Sequence, residues 1–212
     1  MPGKKTVRLP AAERRQQILD IARSLFVQRG IEHTSMREIA KKAGITATSI
    51  YDHFEDKDDL LYEIGQNFFS AFIEHAETEL AGLVDPMARF RAMGRLYISF
   101  GVAHPEEYRL VFMTPIAGLK RLMMLDGRHA VGADGQPTKG ALAYGMLEAH
   151  ITEMMGKGLI REGNVCTVSE AVWAALHGVV ALLITHDHFE FSSPEEMIAM
   201  TASIILDGLC PR

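Results

Sequence analysis

The stretch TSMREIAKKAG, residues 34–44, constrains the fold more than any other, because it carries the start and stop signals of a helix only about two turns long. Ser35 stands where it can cap that helix, Glu38 follows three residues later to complete a capping box, and Gly44 supplies a left-handed stop. The pattern predicts a first short helix over about 36 to 43. Beyond the break, Thr46 can cap a second short helix, ATSIYDHF. Asp56 can cap a third, which opens with Lys57, Asp58 and Asp59 and continues as apolar turns. Two short helices joined by a tight Gly-containing turn are the unit that sets its second helix in a major groove.

The wider string consists of Gly30, Thr34-Ser35, Ile39-Ala40, Gly44-Ile45-Thr46, Ile50-Tyr51, His53-Phe54, Lys57 and Leu60-Leu61, preceded by an apolar helix. It resembles the N-terminal domain of TetR-family transcriptional regulators over roughly residues 11 to 65, without a gap. Two positions depart from the pattern: Thr48 stands where members often have Gly, and Asp52 adds an acid to the second helix. Both leave the base preference open. The resemblance implies an all-α chain, with a helix-turn-helix DNA-binding domain over 1–56 and a helical ligand-binding and dimerisation domain over 57–212.

Charge agrees once it is divided. The chain as a whole carries −5, yet residues 1 to 51 hold ten Lys or Arg against four acids, a net of +6, which leaves −11 on the other 161 residues. A protein with one DNA-facing end would be built so, since duplex phosphates attract the basic end and repel the acidic one. A solvated basic face without a partner is the plainer alternative. Hydrophobic content of 48% suffices for a core. The longest apolar run, 171–184, is interrupted by His177 and falls short of the ~20 residues of a membrane span. The opening MPGKKTVRLP lacks the apolar core of a secretory signal. Cys166 and Cys210 stand in no zinc or CxxC spacing and fit a reducing cytoplasm.

Helical signals recur along the chain. Ile18, Ile21, Ala22, Leu25 and Phe26 share one face of a first helix, and Leu61, Ile64, Phe68 and Phe72 share one face of a helix from Lys57 to about Leu80. Gly65 within it reads as a bend point or as a site of close packing. Asp85-Pro86 restarts a helix, Ala103-His104-Pro105 stops it, and another runs from Pro105 to before Pro115. Residues 126–139, DGRHAVGADGQPTK, read as a loop, either a flexible connection or a cover over a ligand. Helices follow from about Lys139 to Lys157, from Ser169 to about Thr185, and from a strong start at Ser193-Pro194-Glu195-Glu196. In this half, His104 to Leu110 and the later Trp173 with His177-Gly178 resemble a TetR C-terminal class named for a Trp-His-Gly signature. That likeness implies a ligand-binding, dimerising body and says nothing of which ligand.

By resemblance, the helix from Ala47 to Phe54 enters the major groove. There Thr46, Thr48 and Ser49 are short enough for close approach to phosphate or base edges. Tyr51, His53 and Lys57 match positions that hold phosphates in the family, and Thr34 and Ser35 stand at a helix start that favours a phosphate. Packing between short helices is the alternative for Tyr51 and the preferred reading for Phe54. Arg37 can reach a guanine edge or a phosphate. No long bidentate reader lies in the second helix, so shape and backbone contacts would carry much of the specificity. The tail residues Lys4, Lys5 and Arg8 read equally as a minor-groove arm or as solvent-exposed chain.

Inside the body, Met93, Tyr97, Phe100 and His104 recur on one helix face and Met146, His150 and Met154 on another, with Tyr108, Phe112 and Met113 between. With Trp173 and His177 these are the expected lining of an apolar effector site, since Met and aromatic chains repack around varied shapes. Plain core packing is the alternative for each, and His177 beside Gly178 also reads as a packed or interface histidine. Val172, Leu176, Val179 and Leu183 form one stripe, and Met197, Met200 or Thr201, Ile204 and Ile205 another. Both suit a two-fold dimer that presents two reading helices to a palindromic site. His186-Asp187-His188 reads better as a surface turn than as a metal site. Neither a nucleophile elbow nor a phosphate-cradling loop is present. The expectation is a non-enzymatic regulator without cofactor or metal, which binds operator DNA as a homodimer and is released by a small apolar or aromatic effector. A structural DNA-binding protein without an effector is the alternative.

Overall fold

Pro10 closes an extended approach, and α1 then runs Ala11–Arg29 with Ile18, Leu19, Ala22, Leu25 and Phe26 buried along one stripe. Gly30, at φ 81, ends it in a conformation that side chains other than glycine rarely adopt. The computed structural model describes residues 9–114, 130–132, 134–186 and 188–211. Among them stand eight α-helices, one short 3-10 turn and an isolated bridge between Val131 and Pro137, so the all-α expectation holds.

α2 spans Met36–Lys42, with Ser35 Oγ accepting the Glu38 backbone N–H at 3.2 Å. The reciprocal arm of the expected capping box is replaced by another contact: the Glu38 carboxylate turns to Arg29 at the end of α1. Gly44, at φ 69, is the left-handed stop.

The next segment departs from expectation. In place of a helix over Ala47–Phe54, a 3-10 turn covers Ser49–Asp52, with Tyr51 N–H donating to the Thr48 carbonyl at 3.1 Å and His53 N–H to the Ile50 carbonyl at 3.0 Å. Thr46 Oγ1 accepts the Ser49 N–H at 3.1 Å, as expected of a cap, and sits 3.0 Å from Thr48 Oγ1 and 2.8 Å from Ser49 Oγ. The turn closes with the Phe54 N–H donating to the Ile50 carbonyl at 3.0 Å. Ile50 and Phe54 are buried beneath it.

α3 spans Lys57–Leu80, about 36 Å at 1.5 Å per residue, and is capped by Asp56, which accepts the Asp59 N–H at 2.8 Å. Contacts divide the chain inside this helix. One unit runs to Gly65 and includes Arg109–Met123; the other comprises Gln66–Tyr108 and Met124–Arg212.

The second unit is a layer of helices around α7. α4 (Pro86–Ala103) is capped by Asp85, α6 (Lys139–Gly156) by Thr138, and α8 (Pro194–Leu209) by a complete Ser193–Glu196 capping box; α5 covers Pro105–Phe112. α7 covers Val165–Thr185 and packs against α4, α6 and α8. It begins four residues earlier than expected because Asn164 accepts the Thr167 N–H at 3.1 Å. At 21 residues it is by length and composition long enough to cross a membrane, contrary to the reading of its apolar run as too short. Val172, Leu176, Val179, Val180 and Ile184 are buried on one face against neighbouring helices, while about a third of the helix's apolar stretch (33%) is buried in all. Of the expected 126–139 loop, residues 126–129 and 133 lie outside the described residues; the rest holds the Val131–Pro137 bridge, and Lys139 already opens α6.

α4 and α7 meet at a glycine. A Cβ built on Gly101 would stand 2.7 Å from Val180 Cγ1 and 3.0 Å from the Tyr108 ring, whereas one on Gly94 would meet Leu176 Cδ2 at an ordinary 3.6 Å. Gly101→Ala is therefore expected to destabilise the chain by about 1–3 kcal/mol through overpacking. Gly94→Ala should be neutral or stabilise it by up to about 1 kcal/mol through helix propensity. Urea midpoints of the two variants check this, and equal shifts would contradict the close approach.

Candidate nucleic-acid interface and ring cluster

The first unit gathers the expected reading residues on one short stretch, but it gives them different roles. Ser35, Arg37, Thr46, Ala47 and Thr48 are exposed, Ser49 and His53 are half-buried, and Tyr51 is 56% exposed, against 1% for Phe54. An aromatic ring so exposed beside a fully buried one separates the surface reading of Tyr51 from the packing reading of Phe54. Thr34 leaves the exposed set. At 2% exposure its hydroxyl donates to the Gly30 carbonyl at 2.9 Å, because the chain leaving α1 has a carbonyl to satisfy there.

Lys57 is also engaged within the unit. Its Nζ donates to the Ile31 carbonyl at 2.7 Å, one residue past the end cap of α1. Two arginines of α1 behave similarly. Arg14 Nη1 donates to the Ala43 carbonyl at 3.0 Å, and to Gln17 Oε1 at 2.6 Å. Arg15 Nη1 donates to the His53 carbonyl; its Nη2 pairs with Glu63 at 3.0 Å, and its guanidinium lies 4.0 Å from the centre of the Phe54 ring. Sequence reasoning counted Arg14 and Arg15 only as charge; nothing in the spacing reveals that their partners are carbonyls. Lys4, Lys5 and Arg8 lie outside the described residues.

In the second unit, a set of rings comes together from α3, α4, α5, α6 and α7. Phe68 and Phe72 stand 5.2 and 5.5 Å from Phe100, His104 stands 4.4 Å from Phe100, and Tyr144 meets Trp173 edge-on at 5.9 Å. A hydrogen-bond chain threads the cluster. Trp173 Nε1 donates to Tyr97 Oη at 2.9 Å, Tyr97 and Tyr108 share a bond of 2.8 Å, and Tyr108 lies 2.7 Å from His177 Nδ1. An indole N–H can only donate, so Tyr97 Oη accepts from Trp173, while each phenol can serve as donor or acceptor toward its neighbour and the Tyr108–His177 bond follows the histidine tautomer. Burial pushes the Tyr97 phenol up to about 12, raises Tyr108 too, and lowers His177. All three stay neutral near pH 7, as a poorly solvated cluster requires.

Of the expected effector residues, Tyr97, Phe100, His104, Tyr108, Trp173 and His177 are in this cluster, and Met146 is half-buried on α6. Others are not. Met154 is fully buried and Met93 nearly so, and neither is part of the ring contacts described above. His150 is a buried staple: its Nε2 donates to the Pro86 carbonyl at 2.9 Å, its ring stacks on Phe90, and burial lowers its pKa. Phe112 and Met113 fall in the first unit. Phe68, Phe72 and Tyr144 were missed as members; the stripe holding Phe68 and Phe72 was legible, but its partner was not.

The expected interface stripes divide in the same way. Val172, Leu176 and Val179 are buried inside the subunit, and Leu183 is half-buried. Exposed apolar surface lies instead at Leu182 (44%), Met200 (63%) and Ile204 (64%), with Met197, Thr201 and Ile205 half-buried beside them. A Cβ on Gly178 would meet nothing within 4 Å, so among the described residues the glycine makes no close helix approach. Among the described residues no group of three His, Cys, Asp or Glu could hold a metal, and Asp187 of the His186–His188 turn is outside them.

Comparison with known proteins places this geometry. Residues 18–64 match the family described as bacterial regulatory proteins, tetR family, and residues 90–205 match the tetracyclin repressor-like C-terminal domain. The chain belongs to the TetR family. The HTH-type transcriptional regulator AcrR of Shigella flexneri is 57% identical over 54 residues, covering 26% of this chain and 25% of that protein. An HTH-type transcriptional regulator of Staphylococcus aureus is 45% identical over 69 residues, covering 32% and 37%. The matched part thus spans about a quarter to over a third of these relatives. Among solved structures, a TetR-family transcriptional regulator from Syntrophomonas wolfei superposes with a TM-score of 0.72 at 20% identity, covering 92% of this chain and 94% of that one. The fatty acid degradation regulator FadR from Bacillus halodurans gives 0.71 at 15%, covering 95% and 97%. Family and relatives are regulators of transcription, not enzymes.

Proposed function

We propose that this chain is a ligand-responsive transcriptional regulator, a repressor that binds a palindromic operator as a dimer and is released by a small neutral apolar or aromatic effector. The observation that carries the reading is the exposure of Tyr51 on a turn preceded by the exposed hydroxyls of Thr46 and Thr48, with Asp52 the one exposed acid of that turn, at the net-basic end of the chain. Short hydroxyls and a phenol suit phosphate contact and close groove approach, and Ser35 and Arg37 at the start of α2 add donors beside them. Tyr51→Ala is expected to weaken operator binding by about 1–3 kcal/mol, in the range of a single lost contact, with helical content unchanged. Unaltered affinity in a fluorescence-anisotropy titration would remove the assigned reader.

A single short reading turn covers too few base pairs to specify a site, so two must be presented together. The faces suited to this are the outward sides of α7 and α8, where Leu182, Met200 and Ile204 would be covered by their symmetry mates in a four-helix arrangement. Ile204→Glu should convert the dimer to a monomer in sedimentation. A wild-type chain that sediments as a monomer at micromolar concentration would contradict the arrangement.

The effector reading rests on the ring cluster of the second unit. Its phenols are neutral near pH 7, burial lowers the His177 pKa and so favours its neutral form, and a poorly solvated cluster of this kind favours a neutral ligand over a charged one. α3 is the element that carries the response in this reading, being one continuous helix from Lys57 to Leu80. A ligand changes DNA affinity only by its unequal affinity for the two states of such an element. Trp173 is the sole tryptophan and donates to Tyr97, so its emission should shift with any compound that releases DNA. Release with unchanged Trp173 emission would place the effector elsewhere.

A further inference from the structure

The reading segment of the first unit is bounded by two backbone carbonyls, and each is held by an arginine of α1. Ala43 is the end cap of α2, immediately before Gly44; His53 is the end cap of the 3-10 turn. Carbonyls at helix ends have no partner within their own helix and attract cationic donors. Arg14 supplies one for Ala43 and Arg15 one for His53. Neighbouring side chains on a helix diverge by roughly 100°, so two consecutive arginines can reach the two ends of a segment that lies across their helix.

Each arginine is itself held. Gln17, one turn further along α1, accepts from Arg14 at 2.6 Å. Glu63 pairs with Arg15 at 3.0 Å, and the guanidinium lies over the Phe54 ring at 4.0 Å. A planar fork that serves a carbonyl, a carboxylate and a ring face at once is beyond a lysine. The 44–53 segment between the clamps holds just one four-residue turn of regular structure, tied by local hydroxyl bonds and anchored at its middle by the buried Ile50, so its two ends depend on contacts from outside it.

We propose that Arg14 and Arg15 are positioning residues for DNA recognition. They clamp both ends of the reading segment to α1, set the angle at which Tyr51 and the hydroxyls are presented, and serve specificity through that segment instead of contacting phosphate. The inference rests on the DNA-reading function proposed above, and the test separates the two.

Wild-type full-length chain is used to select duplexes from a random-sequence pool, and binding of the selected duplex is compared with a scrambled duplex of equal length at several salt concentrations. If the wild type enriches no sequence, the DNA-reading function fails, and the clamp with it. If it does, Arg14→Gln and Arg15→Gln should each lower affinity for the selected duplex by about tenfold or more, a loss comparable to one mismatched base pair. Their affinity for the scrambled duplex and the slope of log affinity against log salt should stay at wild-type values. A phosphate contact would behave differently: the slope would fall by about one, and both duplexes would be bound more weakly. That result overturns the proposal, as does a wild-type preference in both variants. Should the Gln variants not fold by circular dichroism, Arg14→Lys and Arg15→Lys keep the charge and decide the matter. Folded variants that bind both duplexes equally support the clamp, and folded variants with wild-type preference overturn it.

Discussion

A seven-residue helix and a four-residue turn cannot stand alone in water, because nucleating a helix fixes more backbone freedom than its few hydrogen bonds return. The first unit exists only because α1 supplies what α2 and the 3-10 turn lack. Its buried stripe of Ile18, Ala22, Leu25 and Phe26 forms a common core with Ile39, Ala40, Ile50 and Phe54. Its arginines, with Lys57, satisfy carbonyls that the short elements leave open. Several cations of the basic end therefore serve the protein's own backbone, and net charge overstates how many face a partner.

The second unit answers a different difficulty. Four hydrogen-bonding side chains, Trp173, Tyr97, Tyr108 and His177, are brought into a cluster of rings where water is scarce. They remain there because each has a hydrogen-bond partner in the next. The same burial that makes the chain of bonds necessary keeps its members neutral. Gly101 permits the approach of α4 to α7 that puts Tyr108 against His177, so a missing Cβ in one helix supports a polar network formed by others.

Much of the fold was legible from local rules. The starts at Asp56, Asp85 and Ser193 and the stop at Gly44 were read from capping chemistry, and each signal acts within a few residues of itself. The signals that failed were those with competitors. The Ser35 box lost its second arm to Arg29, the Thr46 cap formed but opened a four-residue 3-10 turn in place of an α-helix, and Asn164 started α7 before the expected Ser169. Site residues followed the same division. Tyr51 and Phe54 could be told apart by pattern, but Thr34, His150 and Met154 could not, since an apolar or polar residue at helical spacing reads alike whether it faces a ligand or the core.

The sequence by itself determined the helical class, the reading motif and the charge asymmetry, because periodicity, caps and composition are properties of neighbouring residues. Only the tertiary structure decided which donors meet which acceptors: Arg14 with Ala43, Arg15 with His53, Lys57 with Ile31, His150 with Pro86. These partners are separated by 26 to 64 positions along the chain. A hydrogen bond acts over about 3 Å, and no spacing rule reports which distant carbonyl folding will bring within that reach.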